Sequence, residues 1–237
     1  MPEPKNWKRL ALEGVVIVGS ILLAFGLQAW WDARSDHRAQ QEILRNLRQD
    51  FEQNLVFVDT ASARHARIKD AAKALLQFTG PNSSTQNEQD SIAQLIEGVL
   101  YYNRLQPVQG GLTSLLNSGQ WDLLQNNELQ SVLAEWPTGI AALNNREDRA
   151  IEGITNRLLP RIWQLVPVRS IDIIQPEFRE VGPSRFPASY DMLLRDQVFE
   201  GAVTERWWDA QNAMIMLESI RESTQHVLEL IEMEIDG

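Results

Sequence analysis

Histidines are the side chains best suited to proton transfer or metal ligation near neutral pH. The chain has three, His37, His65 and His226, scattered along its length. None has a Glu three residues before it, so the Glu-x-x-His pattern of di-iron helical bundles is missing. There is no phosphate-binding glycine loop followed by Lys, no G-x-S-x-G elbow and no H-E-x-x-H. The sequence therefore offers no catalytic residue, no cofactor site and no metal site. His65 falls on an apolar stripe and reads as a packed or paired core residue. Glu229, Glu232, Glu234 and Asp236 form an acidic run near the C-terminus that reads as a solvated helix end. Trp207 and Trp208 read as one ring filling a core and one capping it.

The polar groups that stand out lie inside an apolar segment. Residues 10–31 run L-A-L-E-G-V-V-I-V-G-S-I-L-L-A-F-G-L-Q-A-W-W, with Glu13 and Gln28 the only strongly polar side chains. That length and composition match the hydrocarbon core of a bilayer. Trp7 lies before the run and Trp30 and Trp31 close it. At about 1.5 Å per helical residue the aromatic ends stand roughly 35 Å apart, at the two headgroup levels. A cleaved signal peptide is the competing reading, with Lys5, Lys8 and Arg9 as its basic region and residues 24–26 as a small-x-small cleavage site. The length of the run, the Trp pair and the unbroken helical sequence beyond favour a retained transmembrane helix.

Lys5, Lys8 and Arg9 crowd the short N-terminal tail, whereas Arg34, Arg38, Arg45 and Arg48 are spread beyond the span. The dense cluster places the N-terminus inside. Residues 1–9 then form a cytoplasmic tail, and residues 32–237 a periplasmic domain on a bacterial inner membrane. At 100° per residue, Glu13, Ile17, Ser20, Ala24, Gln28 and Trp31 share one stripe of the span, about 80° wide. Glu13, Ser20, Ala24 and Gln28 make it small and polar, which suits contact with another membrane helix or with a second copy. The alternative is that Glu13 and Gln28 each snorkel to the nearer interface.

The rest of the chain is patterned for helices. Beyond Trp31 neither Pro nor Gly appears until Gly80, and Leu44, Leu47, Phe51, Leu55, Val58, Ala61, His65, Ile68, Ala72 and Leu75 recur at three- and four-residue steps. This predicts one amphipathic helix over 33–78, continuous with the span. A polar loop at 80–89 follows, then a short helix capped by Asp90 and carrying Ile92, Ile96 and Val99. Gln106-Pro107 and Gly110-Gly111 end that element. A helix interrupted at Gly119 is expected over 112–124. Another starts after Asn126 with Leu129, Leu133 and Trp136, to be kinked or restarted at Pro137 and disturbed again at Pro160. Residues 167–188 hold four prolines and form the longest irregular connection, with a short strand conceivable at 170–174. The last helix alternates steps of four and three through Val203, Trp207, Ala210, Met214, Leu217, Arg221, Thr224, Leu228, Ile231 and Ile235, a heptad seam. The fold class is all-α: a transmembrane helix continuing into an elongated bundle of four or five helices.

The chain carries 22 Lys+Arg against 32 Asp+Glu, a net charge of −10. Residues 1–31 hold three basic and two acidic groups, so the extramembrane part carries about −11. Such a domain is repelled by nucleic acid and by anionic lipid surfaces, which leaves the bilayer interior and other protein helices as the expected partners. The absence of cysteine excludes disulfides and thiolate sites.

The segments E-G-V-V-I-V-G-S-I-L-L-A-F-G-L-Q-A-W-W-D (13–32), I-L-R-N-L-R-Q-D-F-E-Q-N-L (43–55) and L-L-N-S-G-Q-W-D-L-L-Q-N-N-E-L (115–129) together resemble an uncharacterised bacterial family of single-span membrane proteins. Its membrane helix begins with Glu and ends in Trp-Trp-acidic. The likeness covers about 50 residues, and Gln28 stands where that family carries an acidic residue. The resemblance implies an anchored helical protein and supplies no activity. Two classes of function follow. One is a structural or interaction protein, an accessory subunit of a homo-oligomer or larger membrane complex. The other is a periplasmic sensory or ligand-binding module that signals through a partner. A dry apolar bundle core favours the first and a pocket with convergent polar groups the second.

Overall fold

The computed structural model describes residues 7–84, 89–167, 169, 180, 182, 184–187 and 189–236. Every regular element among them is helical: α1 (Trp7–Leu76), α2 (Gln89–Leu100), α3 (Gly110–Ser118), α4 (Asn127–Gly153), α5 (Leu159–Leu165), α6 (Asp191–Leu194) and α7 (Gln197–Asp236). A 3₁₀ turn at Trp121–Leu123 precedes α4, and a π turn at Ile154–Leu158 joins α4 to α5.

With no helix breaker between residues 27 and 79, α1 runs for 70 residues, about 105 Å. Residues 12–38 are exposed, and packing begins only at Ala39 and Gln40. From there the chain builds four limbs that alternate in direction. α1 leads away from the exposed stretch. A broken second limb of α2, residues 101–109 and α3 returns along it, placing Gly98 against Ala71, Val108 against Asn54 and Gly111 against Asp50. α4, the π turn and α5 lead away again. α7 returns, pairing Arg221 with Asp59 on α1 at 2.8 Å and Gln40 with Glu234 at 2.7 Å.

The core is two apolar clusters stacked along the bundle. The one nearer the exposed stretch gathers Leu44, Leu47, Phe51, Leu129, Leu133, Trp136, Leu217 and Ile231. Phe51 and Trp136 stack there with ring centroids 5.0 Å apart. The distal cluster gathers Leu75, Ile92, Ile96, Leu158, Ile162, Leu193, Phe199 and Val203. Buried His65, Glu147 and Arg206 lie between them in the chain register of α1, α4 and α7.

The all-α architecture is as the sequence predicts, but two helix faces are set differently. On α1 the buried residue is Asn54 rather than Leu55, which is only partly covered. On α7 the seam is Phe199, Val203, Arg206, Ala210, Ala213, Leu217, Ile220, Thr224, Val227 and Ile231. It shares every second position with the expected one. Trp207, Met214, Arg221, Leu228 and Ile235 are only half-buried on its flank. The apolar pattern favours large residues, whereas the true seam contains a buried cation and small alanines.

Pro137 neither ends nor restarts a helix, because α4 passes through it. Pro160, which cannot donate to the carbonyl four residues back, follows directly on the π turn. The Gly110-Gly111 pair opens α3 instead of closing α2, and Gly119 ends α3 in the left-handed conformation at φ 70°. Asp90 lies in the first turn of α2, whose first residue is Gln89. Residues 170–174, read as a short strand, lie outside the described residues.

Two predictions test this packing. A Cβ built on Gly98 would stand 2.7 Å from the Ala71 Cβ, so Gly98→Ala should destabilise by about 1–3 kcal/mol in urea unfolding. Ala71→Gly in the same chain should restore part of the loss.

Asp196 precedes α7 and accepts the Phe199 N–H at 2.8 Å and Arg161 Nε–H at 2.9 Å. The Arg161 guanidinium holds this carboxyl below its ordinary value of 3.8. Because the folded value is the lower one, the stabilisation is complete above the unfolded value and lost as pH falls through the folded one. Asp196→Asn keeps a capping acceptor without the charge. Its stability should therefore fall less than the wild type's between about pH 5 and pH 2, measured by thermal melting.

Candidate functional site

The stripe of Glu13, Ser20, Ala24 and Gln28 lies on one helix and is touched by nothing else described. Leu12, Val15, Val16, Ile17, Leu22, Leu23, Phe25 and Leu27 are all more than half exposed, and Glu13, Ser20, Ala24 and Gln28 stand bare among them. Ser20 Oγ donates within its own helix, to Val16 O at 2.8 Å or Ile17 O at 2.9 Å. Its hydroxyl thus needs no outside partner, and it acts on this face by its small size. Trp30 and Trp31 lie side by side, centroids 6.1 Å apart, and Arg34 sits over the Trp30 ring at 5.9 Å. Aromatic rings followed one turn later by a cation are the pairing expected where apolar side chains give way to headgroups. Trp7 is the first residue of α1.

A second polar arrangement, inside the bundle, follows from residues 101–109. Between the last bond of α2, from Tyr101 N–H to Glu97 O, and the first of α3, onto Gln109 O, this chain is not helical, yet Leu105 is buried, and buried backbone polar groups require partners. Side chains from three helices supply them. Asn54, fully buried, donates from Nδ2 to Val108 O at 2.8 Å and accepts Val108 N–H on Oδ1 at 2.7 Å, as a neighbouring strand would. Glu147 accepts Leu105 N–H at 3.0 Å on one oxygen and meets His65 Nε2 at 3.2 Å with the other. Asp50 accepts Gly111 N–H at 2.6 Å. Arg206 donates from Nε to Val99 O at 3.0 Å and from Nη2 to Tyr101 O at 2.6 Å, closing the C-terminal end of α2.

Burial pushes the Arg206 guanidinium down to about 10, well below its ordinary range, with Asp209 and Glu147 opposing. Burial also raises the Asp209 carboxyl, against the pull of Arg146 at 3.7 Å. The folded value of Arg206 lies below the unfolded one. Its charged burial therefore disfavours folding across neutral pH, and this is relieved only as pH rises through about 10.

The limb's change from helix to extended chain leaves grooves beside α1. One, about 690 Å³, is bordered by Arg64, Arg67 and Ile68 on one side and by Glu97, Gly98 and Tyr101 on the other. It continues past Thr60 and Arg64 into one of about 290 Å³ reaching Asn103 and Arg104. Arg104 is paired with Asp148.

Of the sequence candidates, His65 is buried and paired with Glu147. His226 meets Glu128 at 2.9 Å on the surface. His37 borders a groove at the base of the bundle with Gln40 and Glu234. The acidic C-terminal run is only partly a solvated end: Glu234 accepts Gln40 Nε2–H and the Gln125 N–H at 2.8 Å, tying the close of α7 to the turn before α4. Trp207 packs against the distal cluster while Trp208 is 56% exposed. No metal-ligating cluster of three is present among the described residues. Asn54, Glu147 and Arg206 were missed because apolar periodicity cannot select polar residues. The available signal was Pro107 followed by Gly110-Gly111, which forbids a helical limb and demands partners for its backbone. Comparisons with family models, with curated proteins and with solved structures found no match to the chain.

Asn54→Leu keeps the branching of the side chain and leaves both Val108 groups unpaired. Each orphaned group costs roughly 1–3 kcal/mol, so the chemical-denaturation midpoint should fall by the equivalent of about 2–4 kcal/mol. Leu55→Ala, one residue along the same helix, should cost less.

Proposed function

We propose that this chain is a single-pass protein of a bacterial inner membrane, with its N-terminus cytoplasmic and its helical domain periplasmic. It serves as a structural or interaction protein, an accessory subunit of a homo-oligomer or larger membrane complex. The observation that carries the reading is the bare N-terminal part of α1. An apolar helix long enough to cross a membrane stands wholly outside a bundle whose own core is closed and mostly apolar. Such a surface is stable only in lipid or against other apolar helices.

The continuity of α1 adds a mechanical argument. Residues 32–38, D-A-R-S-D-H-R, extend the helix about 10 Å beyond the Trp pair before packing begins. No glycine or proline interrupts it between span and bundle, so the azimuth of the Glu13–Ser20–Ala24–Gln28 stripe is fixed relative to the bundle. A partner helix bound on that stripe would set the direction in which the domain faces.

Alkaline carbonate extraction should leave the full-length chain in the membrane; release of an N-terminally shortened soluble protein would establish a signal peptide instead. A reporter fused after Gly237 should be active only in the periplasm. Ser20→Leu, Ala24→Leu and Glu13→Leu keep the span apolar, so insertion should survive while crosslinked or native-mass assemblies in detergent are lost. Unchanged assemblies in all three variants would mean that the stripe faces lipid.

A further inference from the structure

We propose that the groove between α1 and α2 binds a small zwitterion bearing a carboxylate and an ammonium group, the chemistry of a free amino acid. Arg64 and Arg67, one turn apart on α1, present two guanidinium groups to a space of about 690 Å³. Neither forms an ion pair or a hydrogen bond among the described residues. The chain has carboxylates in excess, and other arginines of the bundle take them: Arg221 with Asp59, Arg157 with Glu205 and Arg104 with Asp148. Glu97 borders the same groove and is not in ion-pair contact with either arginine. The groove thus holds unneutralised charges of both signs, held apart. A ligand with an anionic and a cationic end would satisfy both, whereas a simple anion would leave its acceptor facing Glu97.

The walls are built rather than incidental. Arg64 lies over the Tyr101 ring at 6.0 Å, a contact that leaves its N–H donors free for a carboxylate. Tyr101 is in turn held by Arg206, which donates to its carbonyl at 2.6 Å from within the core. Gly98 lets α2 approach Ala71 closely enough to bring Glu97 to the groove's edge. Ile68 and the Tyr101 ring supply an apolar surface for a side chain, and Thr60 a hydroxyl. The volume suits a small molecule and not a folded partner. The site is independent of whether the membrane stripe has a partner.

The test uses the full-length chain in mild detergent. Thermal melting is followed with a panel of free L-amino acids at millimolar concentration, with glutarate and inorganic phosphate as anions lacking the amine. At least one amino acid should raise the melting temperature by several degrees, and titration calorimetry should then give its affinity. Arg64→Gln with Arg67→Gln should weaken that affinity tenfold or more. Glu97→Gln should weaken the amino acid and leave glutarate unaffected or improved. None of the three is in an ion pair and none is buried, and only Arg64 has a ring contact, so ligand-free melting of Arg67→Gln and Glu97→Gln should match the wild type and that of the double arginine variant stay close to it, which separates lost binding from lost folding. The proposal is overturned if no amino acid shifts the wild type. It is also overturned if glutarate or phosphate shifts it as much as the best amino acid, or if the arginine variants bind unchanged.

Discussion

The bundle depends on how it satisfies nine residues that are not helical. A helical limb carries its backbone hydrogen bonds internally and presents only side chains to its neighbours; residues 101–109 do not. Placing them against α1 requires donors and acceptors from the surrounding helices: Asn54 serves both backbone groups of Val108, Glu147 the N–H of Leu105 and Arg206 the carbonyl of Tyr101. Those side chains occupy positions that would otherwise be apolar. For that reason Arg206 interrupts the seam of α7 and the apolar core divides into two clusters. An extended chain is also thinner than a helix of 10–12 Å diameter, so where α2 gives way to it the limb no longer covers α1. The grooves beside Thr60 and Arg64 lie at that transition.

α1 joins an exposed apolar stretch to a packed one in a single uninterrupted element. Over residues 12–31 the apolar side chains point in every direction and all are exposed, as suits a surrounding of uniform polarity. Beyond Ala39 the buried positions narrow to one stripe, from Gln40 through Leu44, Leu47, Phe51 and onward to Leu75. The change occurs across residues 32–38, which are polar all round and exposed. Such a stretch gains nothing from burial, and its helicity is carried from the packed turns on one side and the apolar turns on the other.

Helix existence and order were legible because apolar periodicity and breakers are local signals. α1, α2, α4 and α7 follow from the spacing of Leu44 to Leu75, Ile92 to Val99, Leu129 to Leu143 and Val203 to Ile231. The exact faces were less legible, since Leu55 and Trp207 outscore Asn54 and Arg206 on any apolar scale. Asn54 is buried because Val108, 54 residues away, needs its amide, and that requirement appears in no window of sequence around residue 54. The groove was illegible for a related reason. Arg64 and Arg67 look like ordinary solvated positions on α1 until Glu97 and Tyr101 are brought opposite them.

The same buried polar groups settle a degeneracy that the apolar pattern leaves open. The seam of α7 repeats every seven residues, so a slip of one heptad against α1 and α4 would bring Val203 to the site of Ala210, Ala210 to that of Leu217 and Leu217 to that of Thr224. The apolar pattern alone opposes such a slip only through misfits of volume. Arg206 has no equivalent, however: the residues seven before and after it are Phe199 and Ala213. A slipped α7 would leave Val99 O and Tyr101 O without donors, at roughly 1–3 kcal/mol each, and would bury the guanidinium elsewhere without acceptors. The unfavourable burial of this cation in the native register is thus exceeded by its burial in any other. A polar residue within a repeating seam fixes alignment in this way, and it sets which part of α1 faces Tyr101 and Glu97.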